Sequence, residues 1–150
     1  MSNVKELIGI EYDPYSFEVE KGKIKEFAMA IGDDNPIYYN LESAQIEGFK
    51  RIPIPLTYLT VIDLWGGYGF QEKMEKLKLN VTNILHGEQE YEFLKDVYAG
   101  DILTVTAKVT KVETKKGTLG GMDLITTESK YTNQNGELVA ISKNVLIQLH

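Results

Sequence analysis

Residues 55–68 read PLTYLTVIDLWGGY, and this stretch decides the fold class. Proline suits the first turn of a helix, so Pro55 predicts that a helix begins there. Large apolar side chains recur from Leu56 to Tyr68 and cover almost the whole circumference of such a helix. A helix that is apolar all round is normally buried on every side. We therefore expect one central helix, enclosed by the rest of the domain.

The sequence before this stretch predicts a strand, a turn-prone loop and two helices. Apolar side chains alternate over residues 15–19, as in a half-buried strand, and then adopt a helical spacing that stops at Gly32. A turn-prone group follows, and Leu41–Ile46 is expected to form a short second helix. The helical apolar positions are Ile24, Phe27, Ala28 and Ile31.

The second half of the chain predicts consecutive strands joined by short turns. Alternating segments cover residues 87–94, 103–109, 119–131 and 138–149, and turn signals lie at residues 99–101, 115–117 and 133–136. Short turns require antiparallel pairing. The economical architecture is α+β, with a curved antiparallel sheet wrapped around the apolar helix. That arrangement matches the hot-dog fold.

Length and composition restrict the possible classes of protein. The chain has 150 residues, the size of one domain over residues 1–150. Its net charge of −6 argues against a general nucleic-acid binder, and the absence of cysteine excludes disulfides and thiol nucleophiles. Neither a signal-peptide core nor a membrane-spanning stretch is visible, so a soluble, cytoplasmic protein is expected.

Two short motifs carry a resemblance to a known family. Residues 31–38, IGDDNPIY, resemble the signature of the MaoC-like dehydratases and (R)-specific enoyl-thioester hydratases. Residues 85–93, LHGEQEYEF, followed by Ala-Gly-Asp at 99–101, resemble the N-terminal MaoC-like dehydratase branch. That branch includes subunits of the mycobacterial 3-hydroxyacyl-carrier-protein dehydratases. The resemblance extends over nearly the whole chain and implies the hot-dog fold.

The resemblance implies hydro-lyase chemistry on (R)-3-hydroxyacyl thioesters in fatty acid metabolism. Asp33 is the expected catalytic carboxylate, Asn35 supports the loop, and Tyr38 occupies the position of the family's catalytic histidine. Leu56 and Thr57 are expected to offer backbone N–H groups to the thioester oxygen, because Pro55 has none. No metal and no cofactor are expected, since the substrate arrives as a coenzyme A or acyl-carrier-protein thioester.

Other interpretations of the same residues remain open. Asp33 and Asn35 also suit turn capping, and His86 suits a structural role. The resemblance implies a homodimer or a heterodimer with a similar hot-dog subunit, because hot-dog sheets of this family pair edge to edge. Tyr38 is a poor base, so the active unit is expected to require that second chain. The chain could then be a non-catalytic acyl-binding partner of a heteromeric dehydratase. A hot-dog thioesterase, which would also use a carboxylate near the helix, is the third hypothesis.

Overall fold

A computed structural model describes residues 3–118 and 120–150 of the chain. These described residues form four α-helices and one five-stranded sheet. The helices are α1 (Lys21–Ala30), α2 (Leu41–Ile46), α3 (Leu59–Trp65) and α4 (Phe70–Lys76). The strands are β1 (Glu11–Glu18), β2 (Ile84–Phe93), β3 (Ile102–Gly117), β4 (Gly120–Thr132) and β5 (Leu138–Leu149).

The sheet is antiparallel throughout and has the order β1-β3-β4-β5-β2. The prediction of an α+β fold with an antiparallel sheet is confirmed. In β3, Leu103, Val105 and Val109 are buried and the threonines between them are exposed, as the alternation predicted. The turn expected at residues 115–117 is wrong, because β3 continues to Gly117. Leu119, placed at the start of the next predicted strand, lies outside the described residues.

The central helix differs from its prediction in length and in burial. It begins at Leu59 rather than Leu56, after a tight turn in which the Tyr58 N–H donates to the carbonyl of Pro55 at 2.9 Å. It ends at Gly66, where a Cβ atom would lie 2.8 Å from the ring carbons of Phe17 and Tyr15. The close approach of these two rings on β1 therefore requires glycine.

Only one side of α3 is buried, so the prediction of burial on every side is wrong. Tyr58, Leu59 and Ile62 are fully buried against the sheet. Trp65 is 80% exposed and Leu64 is 53% exposed. The single sheet covers one face of the helix, and the opposite apolar face lies at the surface of the chain. In the described part of the chain, no helix is long and apolar enough to cross a membrane.

Candidate active site

The loop after α1 has the conformation that its residue types favour. Gly32 has φ +72°, in the left-handed region that glycine adopts without strain. The Asp33 N–H donates to the Ala28 carbonyl at 2.9 Å, which ends the helix in a glycine cap. Residues 32–38, called the motif loop below, therefore leave α1 in a defined direction.

Asp33 and Asn35 both hold the backbone of the motif loop. One carboxylate oxygen of Asp33 accepts from the Asn35 N–H at 3.0 Å, and the Asn35 side-chain oxygen accepts from the Ile37 N–H at 3.2 Å. The Tyr39 hydroxyl donates to the Asp33 carbonyl at 2.6 Å. The turn-capping interpretation of these two residues is thus confirmed. It leaves the Asp33 Oδ2 atom without a hydrogen bond from any described residue, and hence available to a ligand.

Tyr38 lies half-buried beside Asp33 and packs against the main core cluster. Burial and the nearby charge of Asp33 together raise the pKa of the Tyr38 phenol. A phenol ordinarily has a pKa of about 10, so this side chain is neutral near pH 7. Tyr38 can therefore donate a hydrogen bond, but it cannot replace the family's histidine as a base at that pH.

Leu56 and Thr57 lie just before α3, and both side chains are exposed. Among residues 3–118 and 120–150, nothing accepts a hydrogen bond from either backbone N–H. The preceding Pro55 is buried and has no N–H to donate. No hydrogen bond in this described region joins Leu56 or Thr57 to the motif loop. Within the described residues both predicted donors are therefore free, but they lie in the turn before α3 rather than in its first turn.

A second polar constellation joins α3 to the sheet, at residues that belong to neither of the two sequence motifs. The Tyr131 hydroxyl donates to Asp63 at 2.5 Å and lies 3.1 Å from the Ser142 hydroxyl. The Lys73 ammonium donates to the Asp63 carbonyl at 2.7 Å. We call these four residues the Asp63 cluster. The signal in the sequence is that Asp63 is the one charged residue of 56–65.

Burial controls the electrostatics of the Asp63 cluster. It raises the pKa of Asp63, although the hydrogen bond from Tyr131 and the charge of Lys73 act in the opposite direction. It also raises the pKa of Tyr131 and lowers the pKa of Lys73. The cluster is held from three elements, α3, β4 and β5, with Lys73 added from α4.

Each of the two histidines contacts a side chain of the sheet. His86 Nε2 is 2.8 Å from the Asn144 amide nitrogen across β2 and β5, and His150 Nε2 is 2.7 Å from Asp123. Neither makes a hydrogen bond to the motif loop in the part of the chain described. Within those same residues, no group of three or more acidic or histidine side chains could hold a metal ion.

Comparison with known proteins identifies the family. The sequence matches the FAS1-like dehydratase domain region over residues 6–142. It is 31% identical over 141 residues to a UPF0336 protein from Streptomyces griseus, which covers 93% of this chain and 91% of the relative.

Solved structures show the same fold. A chain of the C-terminally truncated HadBC (3R-hydroxyacyl-ACP dehydratase) complex from Mycobacterium tuberculosis superposes with a TM-score of 0.77 and 26% identity, over 94% of this chain and 96% of that one. The R-hydratase PhaJ1 from Pseudomonas aeruginosa has a TM-score of 0.68 and 18% identity, over 98% and 85%. The predicted hot-dog fold is thereby confirmed. The match over residues 6–142 shows that the chain belongs to the family of the FAS1-like dehydratase domain region.

Proposed function

We propose that this chain is an acyl-thioester-binding subunit of a hot-dog dehydratase or hydratase. Its reaction class is the reversible dehydration of (R)-3-hydroxyacyl thioesters of coenzyme A or acyl carrier protein. Family membership and the likeness to a chain of a complex named 3R-hydroxyacyl-ACP dehydratase support this proposal. No cofactor is required by the reaction, because only a proton and a hydroxyl group leave the acyl chain.

The observation that carries the proposal is the composition of the motif loop. Its carboxylate and its amide are fixed by hydrogen bonds, while a neutral phenol stands at the position of the family's base. Dehydration removes a proton from the α-carbon and expels the β-hydroxyl, so it needs a base near neutral pH. Tyr38 does not meet that need, and we infer that a second hot-dog chain supplies the base.

The remaining groups have roles that suit binding and polarisation. Asp33 Oδ2 accepts a hydrogen bond from the substrate hydroxyl or from a water molecule, and Tyr38 donates one. The free N–H groups of Leu56 and Thr57 favour the negative charge that develops on the thioester oxygen. Asn35 acts through the loop by holding the Ile37 N–H. These roles place substrate binding on this chain and proton transfer on its partner.

The partner that supplies the base is a homologous hot-dog subunit in a heterodimer, because a homodimer of this chain would carry Tyr38 in both copies. A partner that retains both the aspartate and the histidine of the family signature completes the site. The non-catalytic form of the proposal, in which this chain supplies only the acyl-binding wall, differs in one respect. In that form Asp33 makes no contribution to the rate.

The test is an assay of crotonyl-CoA hydration by the purified chain, alone and with a hot-dog chain that carries both signature residues. We expect the chain alone to be ~10²–10⁴-fold slower than the pair, the usual effect of a missing general base. If Asp33→Asn in this chain leaves the rate of the pair unchanged, the non-catalytic form is correct. Full activity of the chain alone, lost in Tyr38→Phe, contradicts the proposal and makes Tyr38 the acid or base. Release of free thiol from the thioester would instead indicate a thioesterase.

A further inference from the structure

A row of charged side chains crosses the outer face of the whole sheet, with one residue from each strand. The register places each member directly opposite the next, and the sign of the charge alternates at every step. In the order β1, β3, β4, β5 and β2, the row consists of Glu11, Lys108, Glu128, Lys143 and Glu90. Opposite charges that face each other on adjacent strands stabilise the pairing of those strands. The row therefore supports the strand order, and it ends on a glutamate at both edges.

The edge formed by β2 is open to a further strand. In the described part of the chain, β1 and β2 each have a strand neighbour on one side only. Pro14 lies within β1, where it has no N–H to donate, and the register of β1 shifts between Tyr12 and Tyr15. Such features protect an edge from further pairing. By contrast, β2 contains no proline, and its pairing with β5 is regular from Glu88 to Phe93.

The two faces of β2 define what an added strand must present. Glu88, Glu90 and Glu92 are exposed on the outer face. Tyr91 and Phe93 alternate with them on the inner face, where they are half-buried and pack against the main core cluster. Of the three glutamates, only Glu90 lies directly opposite a cation on β5. The outer side of this edge therefore has an excess of negative charge, while its inner side is apolar.

A second copy of this chain is a poor match for that edge. A closed two-fold contact is isologous, so the two β2 strands would run antiparallel with their outer faces on the same side. Centred on Glu90, this contact sets Glu90 opposite its own copy and sets Glu88 opposite Glu92 twice. A shift by two residues still leaves two pairs of glutamates. Like charges directly opposite each other destabilise strand pairing, so the glutamates act against a homodimer through this edge.

We propose that the β2 edge pairs with the edge strand of a different hot-dog chain, which carries Lys or Arg on its outer face and apolar side chains on its inner face. A cation opposite Glu90 continues the alternating row across the interface, and cations opposite Glu88 and Glu92 balance the remaining charge. The glutamates thus attract this partner and reject a second copy. This inference rests on the proposed function, in which a second chain supplies the base, and it names the charge by which that chain is recognised.

A charge-reversed copy of the chain serves as the probe for this chemistry. Its three substitutions make the outer face of β2 basic and leave the inner face unchanged; they are Glu88→Lys, Glu90→Lys and Glu92→Lys. Mixed with the unsubstituted chain at low salt, this variant should form a two-chain species at least tenfold more tightly than either chain binds itself. Raised salt should weaken the mixed species, because exposed charges are screened. Analytical ultracentrifugation measures all three equilibria.

Neutral variants test the rejection of a second copy separately. Self-association should become at least tenfold tighter when the β2 glutamates lose their charge in Glu88→Gln, Glu90→Gln and Glu92→Gln. The matched control removes the same charge from exposed positions outside the sheet, in Glu42→Gln, Glu47→Gln and Glu75→Gln, and should leave self-association unchanged. Glu90→Lys places two cations opposite each other on β2 and β5, whereas the glutamine variants do not. They therefore decide the question even if the lysine variant folds poorly.

Hydrogen–deuterium exchange locates the contact, since the mixed species should protect backbone amides of β2 and leave those of β1 unchanged. The inference is overturned if the unsubstituted chain self-associates through β2 as tightly as the glutamine variant does. Protection at β1, an equal gain in the control variant, or a folded lysine variant that does not bind the unsubstituted chain also contradicts it. None of these measurements uses a thioester. Their failure therefore leaves the proposed function to its own rate assay, and failure of that assay leaves the charge of the β2 edge unaffected.

Discussion

The motif loop and the Asp63 cluster both present an aspartate and a tyrosine side by side, yet in opposite surroundings. Asp33 lies near the surface, and its carboxylate is bound by a backbone N–H two residues away. Asp63 is desolvated and bound by Tyr131, a residue 68 positions away in the sequence. The first pair can meet a substrate, while the second holds α3 against the sheet. As the site of the chemistry, the resemblance to the family favours the motif loop, whereas the shifted pKa values favour the Asp63 cluster.

The comparison teaches that a shifted pKa is not enough to locate the chemistry. Perturbed carboxylates are common at active sites, but internal polar clusters also perturb them. Here burial raises the pKa of Asp63 in a cluster whose hydroxyls already pair with one another. The motif loop instead leaves Asp33 Oδ2 and the neutral Tyr38 phenol for a ligand. Substitutions of equivalent side chains in the two regions test this distinction.

The largest expected effect is a gain of activity in the motif loop. Tyr38→His places an imidazole, with a pKa near neutrality, beside a carboxylate that is already fixed. Crotonyl-CoA hydration by this chain should rise ~10²-fold, the lower end of a general base's contribution. Steady-state kinetics of the purified variant measure this.

Two controls define the meaning of that gain. Asp33→Asn in the same background should abolish it, because the new dyad loses its carboxylate. Tyr39→His, at the adjacent position, should give no gain. An equal gain from Tyr39→His, or no gain from Tyr38→His, would show that residue 38 is not at the reacting centre.

The next largest effect is on stability, and it is measured by comparing substitutions of Tyr131 and Tyr38. Tyr131→Phe removes the donor to a buried carboxylate and should lower the free energy of unfolding by about 1–3 kcal/mol. Tyr38→Phe should change it by less than about 0.5 kcal/mol, as for a half-exposed position. Urea unfolding of both variants near pH 7 measures the difference. Equal losses would mean that the Asp63 cluster does not stabilise the fold.

A smaller effect is the pH dependence of stability. Burial gives Asp63 a higher pKa in the folded chain than the ordinary 3.8, so the native state holds the proton more strongly than the unfolded state does. This stabilising contribution is full below pH 3.8 and is lost as the pH rises through the raised pKa. Asp63→Asn should remove that decline in urea unfolding series between acid and neutral pH. Asp33→Asn should retain it, and a decline of the same size in both variants would assign it to another group.

The pattern of residue types predicts features that depend on neighbours in the sequence. It fails for features that depend on contacts with residues distant in the sequence. The β3 alternation gave the correct buried face because one side of that strand must meet the core. The motif-loop caps are equally local, since Asp33 and Asn35 bind N–H groups two residues on. The prediction that α3 is buried on every side was wrong. An apolar helix surface does not reveal whether the sheet of the same chain, a ligand or another chain covers it.

The Asp63 cluster could not be predicted from the sequence for a related reason. Its contacts join α3 to β4 and β5, so they depend on strand register, which only the folded sheet fixes. Similarly, the Tyr58 hydroxyl has no hydrogen-bond partner among the described residues, and this is visible only once the core around it is assembled. A lone charge inside an apolar helix is the one signal in the sequence that marks such a position.

The smallest expected effect tests whether the Asn35 side chain holds the backbone of the motif loop or contacts a ligand. Asn35→Ala removes the acceptor for the Ile37 N–H and should cost about 0.5–1 kcal/mol in urea unfolding, as for the loss of a helix cap. Asn40→Ala is the matched control, because Asn40 caps α2 through the Ser43 N–H at 2.9 Å. In the Tyr38→His background, Asn35→Ala should reduce the gained rate without abolishing it, since the loop then positions Asp33 less firmly. A loss of stability at Asn40 with none at Asn35, together with complete loss of the gained rate, would mean that the Asn35 amide contacts the substrate itself.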